Sequence, residues 1–433
     1  MCSIVFKGGI IGIMNEVVAG IDIGSSKICT ILGELNKNNQ LQILGVGTAE
    51  CKGLKKGIVI DIDDAAQAIK SCIDQAQQMS NIEIKAAFIN IAGGYTTLIK
   101  NRGVIAVSRD DSEITQDDVE RVLQAAMLAN LPIDKEVIGV MPLQYIVDGY
   151  EHIKDPIGMV GVRLEVDADI IIASTASVQN LIKSVQRCNV NVLGIIIDPL
   201  ASSEVILTKD EKELGVVLVD IGGEITDISI FRGANLVHSK LIPVGGVHIT
   251  NDISLGLKIP TSEAELLKRQ YGYAAVSMLK SIEDITINST INKNARTIEN
   301  RELVDIIEAR VQEIYYLINK ELESSGYKES ICGGVVITGG GLSFIKGSLE
   351  IASSIIELPV RIGVPPYIGV ASSIYSTGTG IVKYILSSRK NNVVSKYSSG
   401  ENNNISIIKS KKHATDKSSN IIKTIKDFFT DFF

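Results

Sequence analysis

VAGIDIGSSKICTIL (residues 18–32) and VVLVDIGGEITDISI (residues 216–230) repeat one pattern: an apolar strand, Asp-Ile-Gly, a polar turn and a second apolar strand. Asp22 aligns with Asp220, and Gly24 with Gly222. One Asp-x-Gly turn closes many ordinary hairpins. Two copies in β-branched surroundings form an internal repeat and point to a duplicated architecture. Outward from the repeat, β-branched runs (17–23, 28–33, 42–48, 86–92, 216–220, 225–231, 335–338) alternate with helical stretches (62–79, 115–130, 177–188, 303–324). That alternation predicts an α/β fold. Thr115 and Ser262, each followed by acids, read as helix N-caps.

The hairpin turns suggest their own chemistry. Glycines let backbone N–H groups approach an anion, because no Cβ intervenes. Ser25, Ser26 and Lys27 add donors to the first turn, with Lys27 a charge partner for a phosphate. Asp22 and Asp220 are expected to face each other across a cleft, where they would hold a hydrated Mg²⁺ or orient water. A third turn, VVITGGGLSFIKG (335–347), places Gly339, Gly340 and Gly341 at a strand end. It suits a planar or anionic ligand pressed against backbone, or a simple strand–helix turn.

Composition narrows the class. The 433 residues are 45% hydrophobic and 21% charged without a Trp, so a large aliphatic core is expected in two to four domains or subdomains. A net charge of −7 argues against nucleic-acid binding. Residues 389–433 nevertheless hold nine Lys/Arg against four acids, so the tail is basic and the body acidic. Six cysteines without a Cys-x-x-Cys pair argue against zinc and disulfides and suit a reducing cytoplasm. No cleavable leader is expected in the first fourteen residues, and Met14 is a second candidate start. The uncharged run 362–382, with Pro365 and Pro366, reads as a buried loop and helix.

Beyond residue 387 the chain turns Ser/Asn/Lys-rich and reads as a flexible linker. It ends in SNIIKTIKDFFTDFF (419–433), where Ile421, Ile422, Ile425, Phe428, Phe429, Phe432 and Phe433 fall on one helical face. Fifteen residues are too few to span a bilayer. A helix docked on the protein's own body is the ordinary reading. The long linker, the four Phe and the upstream Lys409, Lys411 and Lys412 favour a helix lying in an anionic membrane surface.

In this order the three turns resemble the phosphate-1, phosphate-2 and adenosine motifs of the actin superfamily. INIAGGYTTLIKNRGVIAV (89–107), EITQDDVERVLQAAMLANLP (113–132) and VIGVMPLQYIVDGYEHIKDPIGMVGVRLEVDADI (137–170) are more specific: they resemble the inserted subdomain of the FtsA cell-division family. LPVRIGVPPYIG (358–369) resembles that family's stretch after the adenosine motif, and the resemblance covers about 17–387. It implies an actin-like two-domain ATPase fold that binds ATP with Mg²⁺, at most a weak ATPase. It also implies self-polymerisation, membrane tethering, docking of the FtsZ C-terminal peptide and other division proteins, all on the cytoplasmic face of the membrane at the division site.

Residue by residue, the resemblance puts Asp22, Gly24, Ser25, Ser26 and Lys27 on one phosphate turn, Gly222, Gly223 and Thr226 on the other, and Gly339–Gly341 on adenosine. In SEAELLKRQYG (262–272) it puts Glu265 and Lys268 on ribose and adenine, where a solvated ion pair is the plain alternative. Asp220 and Asp198 take the catalytic places and Asp22 and Asp220 the metal, although Asp198 before Pro199 also reads as an N-cap. Glu224 and Ile225 depart from the family's third glycine and hydroxyl. Glu224 is expected to point to solvent, with Thr226 supplying the lost hydroxyl.

The implied borders are 14–101 and 177–214 for the first domain, 102–176 for the insertion, and 215–243, 244–330 and 331–387 for the second domain. The linker takes 388–418 and the terminal helix 419–433. Lys293, Arg296 and Arg301 are candidate contacts for the FtsZ peptide, or a solvated basic face. Two alternatives compete with this reading: a sugar-kinase-type phosphotransferase, and a shape-determining or plasmid-segregating filament protein. The second of these lacks the 102–169 insertion.

Overall fold

Each repeat forms the centre of a five-stranded sheet, and the two sheets share one strand order. The computed structural model describes residues 5–6, 17–107, 112–287 and 296–390. In the first sheet the order is Asn191–Ile197, Ala86–Ile91, Val17–Ile23, Lys27–Leu35, Leu41–Glu50. Val17–Ile23 pairs parallel to Ala86–Ile91 and antiparallel to Lys27–Leu35. The second sheet, read from the opposite edge, runs Val360–Ile362, Val335–Thr338, Val216–Ile221, Thr226–Arg232, Asn235–Ile242. Its central strand likewise pairs parallel on one side and antiparallel on the other. In register, Asp22 faces Cys29 and Asp220 faces Asp227. Near-continuous burial of the central strands reflects their β-branched sequences, covered on both faces by helices.

Helix Ile62–Ser80 packs on the first sheet through Ala65, Ile69, Cys72, Ile73 and Ala76. Asp61 caps it, its carboxylate accepting the Asp63 and Asp64 amides (2.9 and 3.0 Å). The second sheet is covered by helices Gly246–Leu257, Thr261–Tyr271 and Asn300–Ser325. Between strands Ala86–Ile91 and Asn191–Ile197 the chain builds a separate layer. There Thr96–Ala106, Arg163–Ser174 and Lys135–Val147 form an antiparallel sheet under helix Gln116–Met127, with its own core of Val122, Leu123, Leu164 and Val166.

Several expectations change. The border expected between 101 and 102 falls inside the continuous strand Thr96–Ala106. Helix Ser376–Lys390, assigned to the second domain, packs on the first sheet instead. Its Ile381, Val382, Ile385 and Leu386 form an apolar stripe that completes the first core. It also runs to Lys390, past the expected start of the linker. In the 362–382 run the helix is buried, but Ile368 is 98% exposed. Thr115 is the N-cap of its helix, its backbone amide donating to Asp118 Oδ2 (3.0 Å) in a capping box and its hydroxyl donating to the same oxygen (2.7 Å). Ser262 does not cap: its helix begins at Thr261, after Pro260. The tail, including Ile421, Ile422, Ile425, Phe428, Phe429, Phe432 and Phe433, lies outside the described residues, as do Met14 and Lys293.

Candidate functional site

The matching topologies bring both Asp-Ile-Gly turns to one cleft. Gly223 meets the first turn so closely that a Cβ there would sit 1.8 Å from Ser26 Oγ. The third turn lies against the second: the Gly341 amide donates to the Ile221 carbonyl (2.7 Å), and Gly339, at φ +90°, leaves room for Asp220, whose Oδ1 would lie 2.3 Å from an added Cβ. Gly24 closes the first hairpin by donating to the Lys27 carbonyl (3.1 Å). Gly340 packs under Ile374.

Four aspartates gather beneath these turns. Asn90 donates through Nδ2 to Asp22 Oδ1 and to Asp198 Oδ1, both at 2.9 Å, while its Oδ1 accepts the Ile23 amide (2.6 Å). Asp198 is therefore the first residue of helix Asp198–Ile206, turned to the cleft, and no side-chain cap bond is formed. Thr377, on the helix packed against the first sheet, hydrogen-bonds Asp220. Asp227 Oδ2 accepts the Gly94 amide (3.1 Å), and Ser239 Oγ donates to its Oδ1 (3.3 Å).

Burial raises all four carboxylates, since a low-dielectric surround disfavours their charge. Asp22 is pushed up to about 6, with Lys27 and then Asn90 opposing the shift. Asp220 is pushed up to about 7, Asp22 and Asp227 adding to the effect of burial. Asp227 reaches about 6 and Asp198 lies well above the ordinary value, in the latter case with Asp22 as the next cause. Lys27 is lowered, first by burial. Its Nζ sits 4.6 Å from the centre of the Tyr375 ring, buried and without a hydrogen-bond acceptor. An unpaired buried ammonium beside glycine turns fits an anion, and the raised carboxylates fit a cation. Among the described residues no three such groups converge to hold an ion directly, so a cation bound here would keep much of its water.

Other residues singled out in the sequence have different work. Thr226 donates to the Val244 carbonyl (2.7 Å) and is buried, so it does not replace the missing hydroxyl at the turn. Glu224 accepts the Lys56 amide from the first domain while remaining partly exposed. Ser25 Oγ accepts the Gly57 amide (2.6 Å).

Lys268 is 5% exposed and forms no solvated pair. Its ammonium contacts Glu265 Oε2 (2.6 Å), the Gly246 carbonyl (3.0 Å) and Thr250 Oγ1 (2.8 Å), which uses all three protons. The two helices are pinned together there. Lys268→Met should cost about 2–4 kcal/mol in urea unfolding, because buried acceptors lose their cation; a loss under 0.5 kcal/mol counts against this role. Arg301 is exposed and 3.9 Å from Asp305, far in sequence from the turns, and the Arg296 side chain lies outside the described residues. Sequence reasoning missed Asn90, Asp227 and Tyr375.

Comparison with known proteins fits this architecture. The family profile "Cell division protein FtsA" matches residues 217–380, and "SHS2 domain inserted in FTSA" matches 93–172. The cell division protein FtsA of Pseudomonas aeruginosa is 39% identical over 375 residues, covering 86% of this chain and 89% of its own. That of Bacillus subtilis is 39% identical over 372 residues (86% and 83%), and that of Escherichia coli K12 is 32% identical over 382 (86% and 90%). Among solved structures, a PilM-PilN type IV pilus biogenesis complex shares the fold at TM-score 0.58 and 14% identity, over 85% of this chain and 98% of that one. MreB5 of Spiroplasma citri bound to ADP does so at 0.53 and 14%, over 88% and 98%. The sheets and the inserted layer are those of an actin-like ATPase fold with an SHS2 insertion, and with relatives matching along most of their length, the chain belongs to the FtsA family of cell division proteins.

Proposed function

We propose that this chain binds ATP with a hydrated Mg²⁺ in the cleft, polymerises, and tethers FtsZ filaments to the cytoplasmic face of the cell membrane during division. The observation that carries the nucleotide reading is the buried, acceptor-free Lys27 ammonium at the first glycine turn, near carboxylates that burial raises. Lys27 and the turn amides would hold the phosphates, and Asp22 and Asp220 would orient the water around the cation. The cation, when bound, would offset phosphate charge. Solved MreB5 structures with ADP and with AMPPNP share the fold, which supports the assignment. Turnover is expected to be weak, with nucleotide acting mainly as a ligand that biases protomer contacts; Asp198 and Asp220 are the residues proposed to position a water.

The remainder rests on family membership and the tail sequence. The part of the second domain at 244–330 is proposed to receive the FtsZ C-terminal peptide, with Lys293, Arg296 and Arg301 as contacts; self-association and other division proteins complete the partners. No helix among the described residues is long and apolar enough to cross a membrane. Attachment is assigned to 419–433, which would lie in an anionic lipid surface. One such helix gains little after paying for its ordering, and a polymer multiplies it.

Liposome flotation tests the anchor. Wild type should float with anionic vesicles, whereas Phe428→Asp and a chain ending at Ser418 should stay in the dense fraction. Flotation of the shortened chain would remove the anchor from the tail. Equilibrium titration with ATP and Mg²⁺ tests the cleft, with Gly222→Arg expected to lose binding because its side chain fills the phosphate approach.

A further inference from the structure

The tip of the second hairpin is tied to the first domain by a contact that phosphate binding does not require. Lys56 and Gly57 form the turn of a small ribbon, Leu54–Lys55 paired with Ile58–Val59, and both have positive φ (50° and 78°). The two successive amides are taken by opposite sides of the cleft. Gly57 donates to Ser25 Oγ of the first hairpin (2.6 Å), and Lys56 donates to Glu224 Oε2 of the second. Tyr95 Oη donates to the Lys56 carbonyl, which fixes the turn from below. Ile225 closes over Gly57, its Cδ1 3.2 Å from where a Cβ would stand. Lys55 and Lys56 are exposed at the same mouth.

A free amide in a basic turn between two glycine hairpins is a ready phosphate donor. Here it is already occupied by a carboxylate, an anion built into the chain. We propose that Glu224 sets the cleft's preference between nucleoside diphosphate and triphosphate. Its carboxylate holds the Lys56 amide that a third phosphate would take. A diphosphate seats with the Glu224–Lys56 contact intact, and a triphosphate must displace it against like-charge repulsion. Lys56 supplies the amide and Tyr95 positions it. This inference rests on the nucleotide reading of the cleft given above.

The test is equilibrium titration of the full chain, freed of nucleotide, with ADP and with ATP in the presence of Mg²⁺. Glu224→Gln keeps the shape and an acceptor oxygen but removes the charge; Glu224→Gly removes the contact. The ratio of dissociation constants, ATP over ADP, should fall about 3- to 10-fold in Glu224→Gln and at least as far in Glu224→Gly. Thermal melts of the same proteins separate this from a purely structural strut, which would lower the melting temperature and leave the ratio alone. An unchanged or increased ratio, with both nucleotides still bound, overturns the role of Glu224 and leaves the cleft assignment standing. Failure of wild type and both variants to bind either nucleotide overturns both.

Discussion

Asp220→Asn is expected to raise the melting temperature of the ligand-free protein at pH 8 by several degrees while weakening Mg²⁺-dependent nucleotide binding about tenfold or more. The two effects share one cause. Asp220 is half-buried at the cleft, and burial, then Asp22 and Asp227, pushes it up to about 7 from the ordinary 3.8. A carboxyl that holds its proton more tightly folded than unfolded loses stability for the protein as pH rises from the unfolded value through the folded one, and the deficit stays constant above that. The window here is about pH 4 to 7. Each unit is worth about 1.4 kcal/mol. Asp22 and Asp227 lie close enough to adjust their own charge, and Thr377 already offers a hydrogen bond, so about 1–3 kcal/mol is the expected recovery. Asn cannot ionise and escapes the deficit, but it offers no charge to a hydrated cation, and that loss alone is worth about a factor of ten. Melts of wild type and variant at pH 5 and pH 8 decide it: the variant's advantage should appear at pH 8 and shrink at pH 5. A variant less stable than wild type at pH 8 contradicts the electrostatic account.

Gly47→Val should abolish soluble, folded protein. A Cβ at Gly47 would lie 1.9 Å from the Cys72 carbonyl oxygen and 2.8 Å from its carbon, both backbone atoms of helix Ile62–Ser80. A flexible side chain could yield, but this helix cannot retreat, because Ala65, Ile69, Cys72 and Ala76 behind the contact are completely buried. Separating strand from helix opens the first core along its length, at a cost expected to exceed 4 kcal/mol, roughly the limit for single substitutions. Gly149→Ala is the control: at φ +89° it pays a backbone penalty of about 1 kcal/mol, yet nothing lies within 4 Å of the added Cβ. Soluble yield and urea midpoints of the two variants distinguish contact from conformation. Comparable losses in both would mean that Gly47 matters for its φ/ψ freedom and not for space.

Much of the fold could be read from the chain because the central strands are uninterrupted β-branched runs that end in polar turns. Val17–Ile23 and Val335–Thr338 fall where the pattern put them, and helix Asn300–Ser325 extends its expected range by only a few residues. The SHS2 layer was legible from motif resemblance, whereas its entry strand hides the border, since Thr96–Ala106 serves both the root and the body of the insertion. The return of helix Ser376–Lys390 to the first sheet was not legible: an apolar stripe states that a helix is covered and not by which sheet. The same limit applies in the cleft. Asn90 is a lone amide in an apolar strand, and Asp227 sits seven residues beyond Asp220, so only antiparallel pairing reveals them as neighbours. Thr226 looked like a turn hydroxyl, but alternation along its strand turns it to the Val244 carbonyl.

The turn Gly93–Tyr95, where the chain leaves the first sheet for the insertion, has a mechanical consequence. Gly94 is held by Asp227 and lies so close to strand Asn235–Ile242 that a Cβ would be 2.3 Å from Leu241 Cβ. The root of the insertion is thus gripped by the second domain although its chain belongs to the first. From that grip the edge strand Thr96–Ala106 runs outward for 11 residues, about 35 Å, paired along its length to Arg163–Ser174. A turn of the second sheet relative to the first would therefore press on this root through Leu241, while Ile138, Met141, Ile171 and Ala173 hold the base of the inserted sheet in the first core. The base of the insertion thus touches both halves of the molecule, at the point where a change in the angle between the two sheets would be felt first.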